Sequence, residues 1–326
     1  EASVYPLLVG FNALGGGAAP LFVTLAGAGT SLFVHKRAQG ADRTLVQRGL
    51  VLMLFGLLLN YLTPSWFSLG SWFVLHMMGF AMATAPLWRR LSTRWLLALS
   101  LAVIFATVFW QQAFATPVVS SNAFMSSTTR PGGALRLMAA EGHFPVFPWL
   151  SMFLLGMVVG RWVIADRLGN LLKWLGVLLA LACTLIVGKT LAGQGLFELT
   201  RGTTLYRLFG LRLGFYPATP AIMLLLQSLV LVLAWLALVF ERRRADSLTG
   251  NSLVVCFGRA SLTLLLVHVV LFREISRPLG LWRGVSAGMA LSIIAVWILV
   301  TAWLAQRWQR VGYRYGAEWL LRKLAG

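Results

Sequence analysis

Nine apolar segments dominate this chain, and most approach the roughly 20 residues that a helix needs to cross the hydrocarbon of a bilayer. They lie at about Ala18–Val34, Gly49–Leu62, Ser71–Leu87, Trp95–Trp110, Phe147–Trp162, Leu171–Gly188, Ala221–Phe240, Leu253–Phe272 and Val285–Ala305. A backbone in lipid must satisfy its own hydrogen bonds, so such segments fold as helices. The expected fold is an all-α polytopic membrane protein. A bundle of about nine transmembrane helices fills residues 1–306, and residues 307–326 form a basic amphipathic tail lying on a membrane surface.

Charge then sets orientation. The net charge is +19, which in a soluble chain would suggest nucleic acid. Here nineteen of the 28 Lys and Arg gather on alternate connections and the tail, and nine fall on the other side. That asymmetry marks the richer side, with the C-terminus, as cytoplasmic. Contact with anionic membrane lipid explains the excess, and no nucleic-acid partner is expected. Two long connections, about 111–146 and 189–220, fall on the opposite side, where a pocket can be built from loop residues. Cys183 and Cys256 lie within apolar runs and give no thiolate metal site, so no metal is expected.

Ionisable groups inside spans are expensive and mark candidate sites. His76, in GSWFVLHMMGF, and His268, in FGRASLTLLLVHVVLF, both fall near the non-cytoplasmic third of the bilayer. Ser261 and His268 are seven apart and share a helix face. His143 stands two residues after Glu141, a pairing in which a carboxylate orients an imidazole or acts as base. An interhelical hydrogen-bonded strut is the alternative reading for His76 and His268. Arg259 lies deeper than the other cytoplasmic arginines, so it either snorkels or lines a wet cavity. The small residues Ala26 to Ser31 let a neighbouring backbone, or a slender ligand, come close to the first span, and Gly156 and Gly160 form a GxxxG on the fifth. No acidic residue lies well inside a span, which argues against a carrier coupled through a buried carboxylate.

Four stretches in order carry a family resemblance: AAPLFVTLAGAGTSL with RGLVLMLFGLLLNY after it, WFVLHMMGFAM, FPVFPWLSMFLLGMVVGR, and FGRASLTLLLVH. From about Gly15 to Phe272 the chain resembles the heparan-alpha-glucosaminide N-acetyltransferase-like transmembrane acyltransferases, as a bacterial member of an inner membrane. The resemblance implies an acyl group, most simply acetyl, taken from cytoplasmic acyl-CoA and delivered to a glycan or amino-sugar amine or hydroxyl across the membrane. It implies that Lys36, Arg37, Arg48, Arg89 and Arg90, with Arg259, meet the CoA phosphates, and that the pantetheine arm runs up a groove left by small side chains. The catalytic candidates are then His268, His76, His143 and Glu141. The family usually opens with a helix carrying an Asp, an Arg-Gly pair and a His. Glu1 to Gly17 contains no histidine, so a tenth helix is expected ahead of the first span. The rival reading is a flippase or carrier for a lipid-linked sugar, with the histidines as struts.

Overall fold

A computed structural model describes residues 6–326, apart from 38, 201, 211–212, 244–251 and 282–283. Arg201, Arg212, Arg244 and Arg283, which entered the charge count, lie outside the described residues. Apart from connecting turns and one isolated bridge between Phe215 and Ala218, the described residues form helices: α1 (Pro6–Lys36), α2 (Ala41–Leu62), α3 (Val74–Trp88), α4 (Thr93–Ala113), the short α5 (Asn122–Ser126) and α6 (Gly133–Arg136), α7 (Val146–Ile164), α8 (Gly169–Leu199), α9 (Pro220–Arg243), α10 (Leu253–Arg259), α11 (Ser261–Val270), α12 (Ala287–Gln309) and α13 (Ala317–Ala325). Single π-helical turns follow α6 at Leu137–Glu141 and α11 at Leu271–Ile275.

Seven of these helices are long and apolar enough to span a membrane. The pair α10–α11, bent by 73° at Ala260, makes an eighth when counted as one broken span, and α3 is a shorter apolar helix. The nine expected segments are therefore all helical among the described residues, in a multi-pass membrane protein. The basic connections meet at one face. There Arg161 donates to the carbonyls of Arg89 (2.9 Å) and Leu91 (2.7 Å), Arg242 pairs with Asp166, and Arg37 and Arg48 both donate to the Gly326 carbonyl. This is called the basic face below.

The core is organised around α7, which is buried along most of its length. The small residues of the first span serve it. A Cβ on Gly27 would overlap the Phe153 carbonyl, one on Gly156 the Thr24 carbonyl, and one on Gly160 the Ala28 carbonyl. The backbones of α1 and α7 touch, and Ser31 Oγ donates to the Met157 carbonyl at 2.8 Å. Of the two occupants that the small residues allow, a neighbouring helix fills the place at Gly27, while Gly29 faces open space and Ser31 lines a cavity of about 280 Å³. Gly49 on α2 and Gly79 on α3 meet in the same way. A polar knot ties α4, α7 and α9, with Gln227 Nε2 donating to Ser100 Oγ and Ser151 Oγ, both at 3.1 Å. The outermost element is α12, whose span is only 6% buried.

Candidate functional site

The far face, opposite the basic one, is capped by the two long connections. Ser120 N donates to the Tyr216 carbonyl (3.3 Å), and Gln111 Nε2 to the Ala218 carbonyl (3.0 Å). Arg207 reaches Gln112 Oε1 (2.9 Å) and the Thr116 carbonyl (2.8 Å). Glu141 is wholly buried in this cap. It accepts from Thr116 Oγ1 (2.7 Å), pairs with Arg136 Nη1 (3.0 Å) and takes a longer contact from Arg130 Nη1 (3.4 Å). A buried carboxylate between two guanidinium groups is a structural fastening, because each charge satisfies the desolvation demand of the other.

His143 is buried beside it without bonding to it. Its Nε2 lies 2.8 Å from Asn122 Oδ1. Asn122 Nδ2 donates to the Trp66 carbonyl (3.0 Å), so Oδ1 must accept and His143 Nε2 carries the proton. Nδ1 is then a lone pair, buried and without a hydrogen-bond partner among the described residues. Phe67, Phe73 and Trp66 surround the ring, with centroids at 5.2, 6.3 and 6.3 Å. Burial, aided by the charge of Arg273, lowers the His143 pKa to about 4. Tyr216, 6.1 Å away, is pushed up to about 12 by burial.

On the other side of Trp66 and Phe73 is a cavity of about 650 Å³. One wall is a helical stripe from α11 and the turns around it: Ser261, Leu264, Leu265, His268 and Phe272. This is the face that Ser261 and His268 share by spacing. The opposite wall is Ala18, Ala19 and Phe22 of α1 with Val74 of α3, while Trp297 and Thr301 of α12 close the side. From Ser261 to Phe272 the cavity follows about 17 Å of helix, roughly half the hydrocarbon. Its inner end reaches Phe257, two residues before Arg259, at the bend between α10 and α11. At the far end Arg273 lines it and lies over the Trp66 ring at 4.0 Å. His268 Nδ1 is 2.9 Å from the Leu264 carbonyl, which can only accept. Nδ1 therefore holds the proton, and Nε2 presents a lone pair when the ring is neutral.

His76 is differently placed. It accepts the Phe73 amide at Nδ1 (3.3 Å), completing the first turn of α3, and its ring occupies the space opposite Gly56 that a Cβ would fill. It is not among the residues lining the cavity. The Glu141–His143 pair read from sequence is likewise not joined by a hydrogen bond among the described residues, since each has its own partners.

Residues 6–193 match the family described as heparan-alpha-glucosaminide N-acetyltransferase, catalytic. The chain belongs to this family. Membership supports a membrane acetyltransferase, in a family that in general takes acetyl-CoA as donor. No curated protein and no solved structure matches. The matched region holds α1 to α7, most of α8, His76, Glu141 and His143; His268, Arg259 and Arg273 follow it in the chain.

The proposed phosphate ligands sit at the basic face. Lys36, Arg37, Arg90 and Arg259 are exposed, and the Arg48 guanidinium lies over Phe33 at 4.6 Å. Arg89 forms a double contact with Asp42 (2.6 and 3.0 Å), which neutralises much of its charge. Arg89 also lines a second cavity of about 280 Å³ with His35 and Arg161. In the sequence Arg161 is one of the nineteen basic residues and the last residue of FPVFPWLSMFLLGMVVGR. Its place at the end of the GxxxG helix, one residue after Gly160, was the available signal.

Proposed function

We propose that the chain moves an acetyl group from cytoplasmic acetyl-CoA to the amine or hydroxyl of a sugar at the far face. The reading rests on one observation: a cavity following about 17 Å of helix is lined by His268, whose Nδ1 is engaged by the Leu264 carbonyl, which leaves Nε2 as the nitrogen for chemistry. The positive-inside rule supports a cytoplasmic basic face. There Lys36, Arg37, Arg48 and Arg90 draw phosphates electrostatically, with the exposed Arg259 two residues beyond Phe257 at the inner end of the cavity and Arg89 and Arg161 lining a neighbouring one.

The fit is one of shape and charge. The cavity is elongated and largely apolar, with Ser261, His268, Thr301 and, at the far end, Arg273 as polar points, which suits a thin flexible arm. Acetyl-CoA supplies a thioester already activated towards nucleophiles. His268 Nε2 takes the proton that the amine or hydroxyl loses on attack, and returns it to the departing sulfur, so the imidazole ends as it began. Trp66, Phe73 and Phe144 wall the far end against water. His143 and Glu141 hold that wall: His143 packs behind Trp66 and Phe73, and Glu141 fixes the cap.

The test uses purified chain in detergent with radiolabelled acetyl-CoA and an amino sugar. Acetylated product and free CoA should appear, and His268→Ala should lower the rate at least 100-fold, the usual share of a general base. Normal rates in the folded His268→Ala variant would remove the residue from the mechanism.

A further inference from the structure

We infer that the acceptor is a phosphate-linked glycolipid which enters sideways from the membrane, through a groove between α12 and the π turn after α11. The inference rests on the acetyl-transfer reading and names its substrate. A groove of about 410 Å³ lies on the lipid-facing side of α12, lined by Leu271, Met289, Ile293, Val296 and Val300 with a lone Ser292 hydroxyl. From Met289 to Val300 it runs about 17 Å, close to the depth of one leaflet. Its side chains are lipid-facing, Val296 being 58% and Met289 50% exposed.

The groove and the His268 cavity share two residues, Phe272 and Trp297. Their rings meet edge-to-face at 5.3 Å and form the partition between the two spaces. Phe272 belongs to the π turn, where the helix is locally widened. The next residue, Arg273, lines the cavity. The partition thus stands between a hydrocarbon slot and a cavity that holds both the Arg273 guanidinium and the His268 imidazole. A molecule complementary to the two spaces has an aliphatic chain for the slot and an anionic phosphate carrying a sugar for the cavity. A free sugar uses none of the slot, and a zwitterionic phospholipid carries a second positive group into a cavity that already holds the Arg273 guanidinium.

Two measurements test this on the full chain. The first is native mass spectrometry with a short polyprenyl-phosphate sugar against a zwitterionic phospholipid of similar chain length. Preferential retention of the glycolipid, lost by at least tenfold in Val296→Trp, is expected. Equal retention of both lipids, or retention indifferent to Val296→Trp and Ser292→Phe, means bulk lipid fills the groove and overturns the inference. The second compares acetylation of the lipid-linked sugar with that of the free sugar. The ratio of their kcat/KM values should exceed one and fall at least tenfold in Val296→Trp. A ratio of one or less, or unchanged by the variant, also overturns it. Binding without any acetyl transfer would sink the enzyme reading and leave the lipid route standing as that of a carrier.

Discussion

The bend at Ala260 leaves the first amides of α11 without helical partners, and the tail helix supplies one. Glu318 of α13 accepts from Leu262 N (2.6 Å), Thr263 N (3.0 Å) and Thr263 Oγ1, while Thr263 Oγ1 accepts the Ala317 amide at 2.8 Å. A carboxylate at a helix N-terminus combines capping, about 0.5–2 kcal/mol, with the dipole contribution, about 0.3–1 kcal/mol. A hydrogen bond to a charged group adds about 1.5–3 kcal/mol. These overlap, so removing the carboxylate in Glu318→Ala should weaken the joint by about 3 kcal/mol, roughly 100-fold in local opening. Glu318→Gln keeps an acceptor oxygen and should lose about 1 kcal/mol. Hydrogen exchange on the purified protein reads this directly. Leu262 and Thr263 should lose about 100-fold in protection while α7 amides stay unchanged. Protection at both positions within threefold of the parent would show that the tail helix does not hold the wall bearing His268.

Other outcomes follow from the same geometry. His143 binds its proton in the unfolded chain at its ordinary pKa near 6.5 but in the fold only at about 4. Its contribution is therefore complete above pH 6.5 and lost as pH falls towards 4, about 2 kcal/mol by pH 5. Melting in detergent should show that loss, and His143→Gln should flatten it. Gly156→Val must push against the Thr24 backbone and should destabilise by about 3 kcal/mol or more, whereas Gly176→Ala, with open space around it, should be neutral or stabilising in the same melts. Glu141→Gln leaves Arg136 buried beside a neutral group and should cost about 3–5 kcal/mol, seen as increased proteolysis of the far-face cap.

The spans were legible because a bilayer demands long apolar runs, and the positive-inside bias needs only composition. What escaped the sequence was direction. His76 and His268 look alike in a string of residues, but one accepts a backbone amide beside Gly56 and the other faces a cavity, a difference set by which helix packs where. Glu141 and His143 are neighbours in the chain, yet the π turn ending at Glu141 sends the two side chains to separate partners. The break in FGRASL reads as continuous helix, since nothing in its composition announces that Glu318, more than fifty residues on, will cap the second half. In the sequence Trp66 carries no motif, and Arg273 is only one of the nine basic residues on the poorer side. Their importance comes from the cavity that folding places between them and α12.

Where α2 crosses α3, the Cβ that Gly49 lacks would strike the Gly79 carbonyl, and the one that Gly79 lacks would strike the Gly49 carbonyl. Each position already carries the smallest residue there is, so neither can shrink to forgive a change in the other. No second-site substitution within the pair restores the fit, and descent should keep both columns invariant together even where the chemistry at the cavity has drifted to new acceptors.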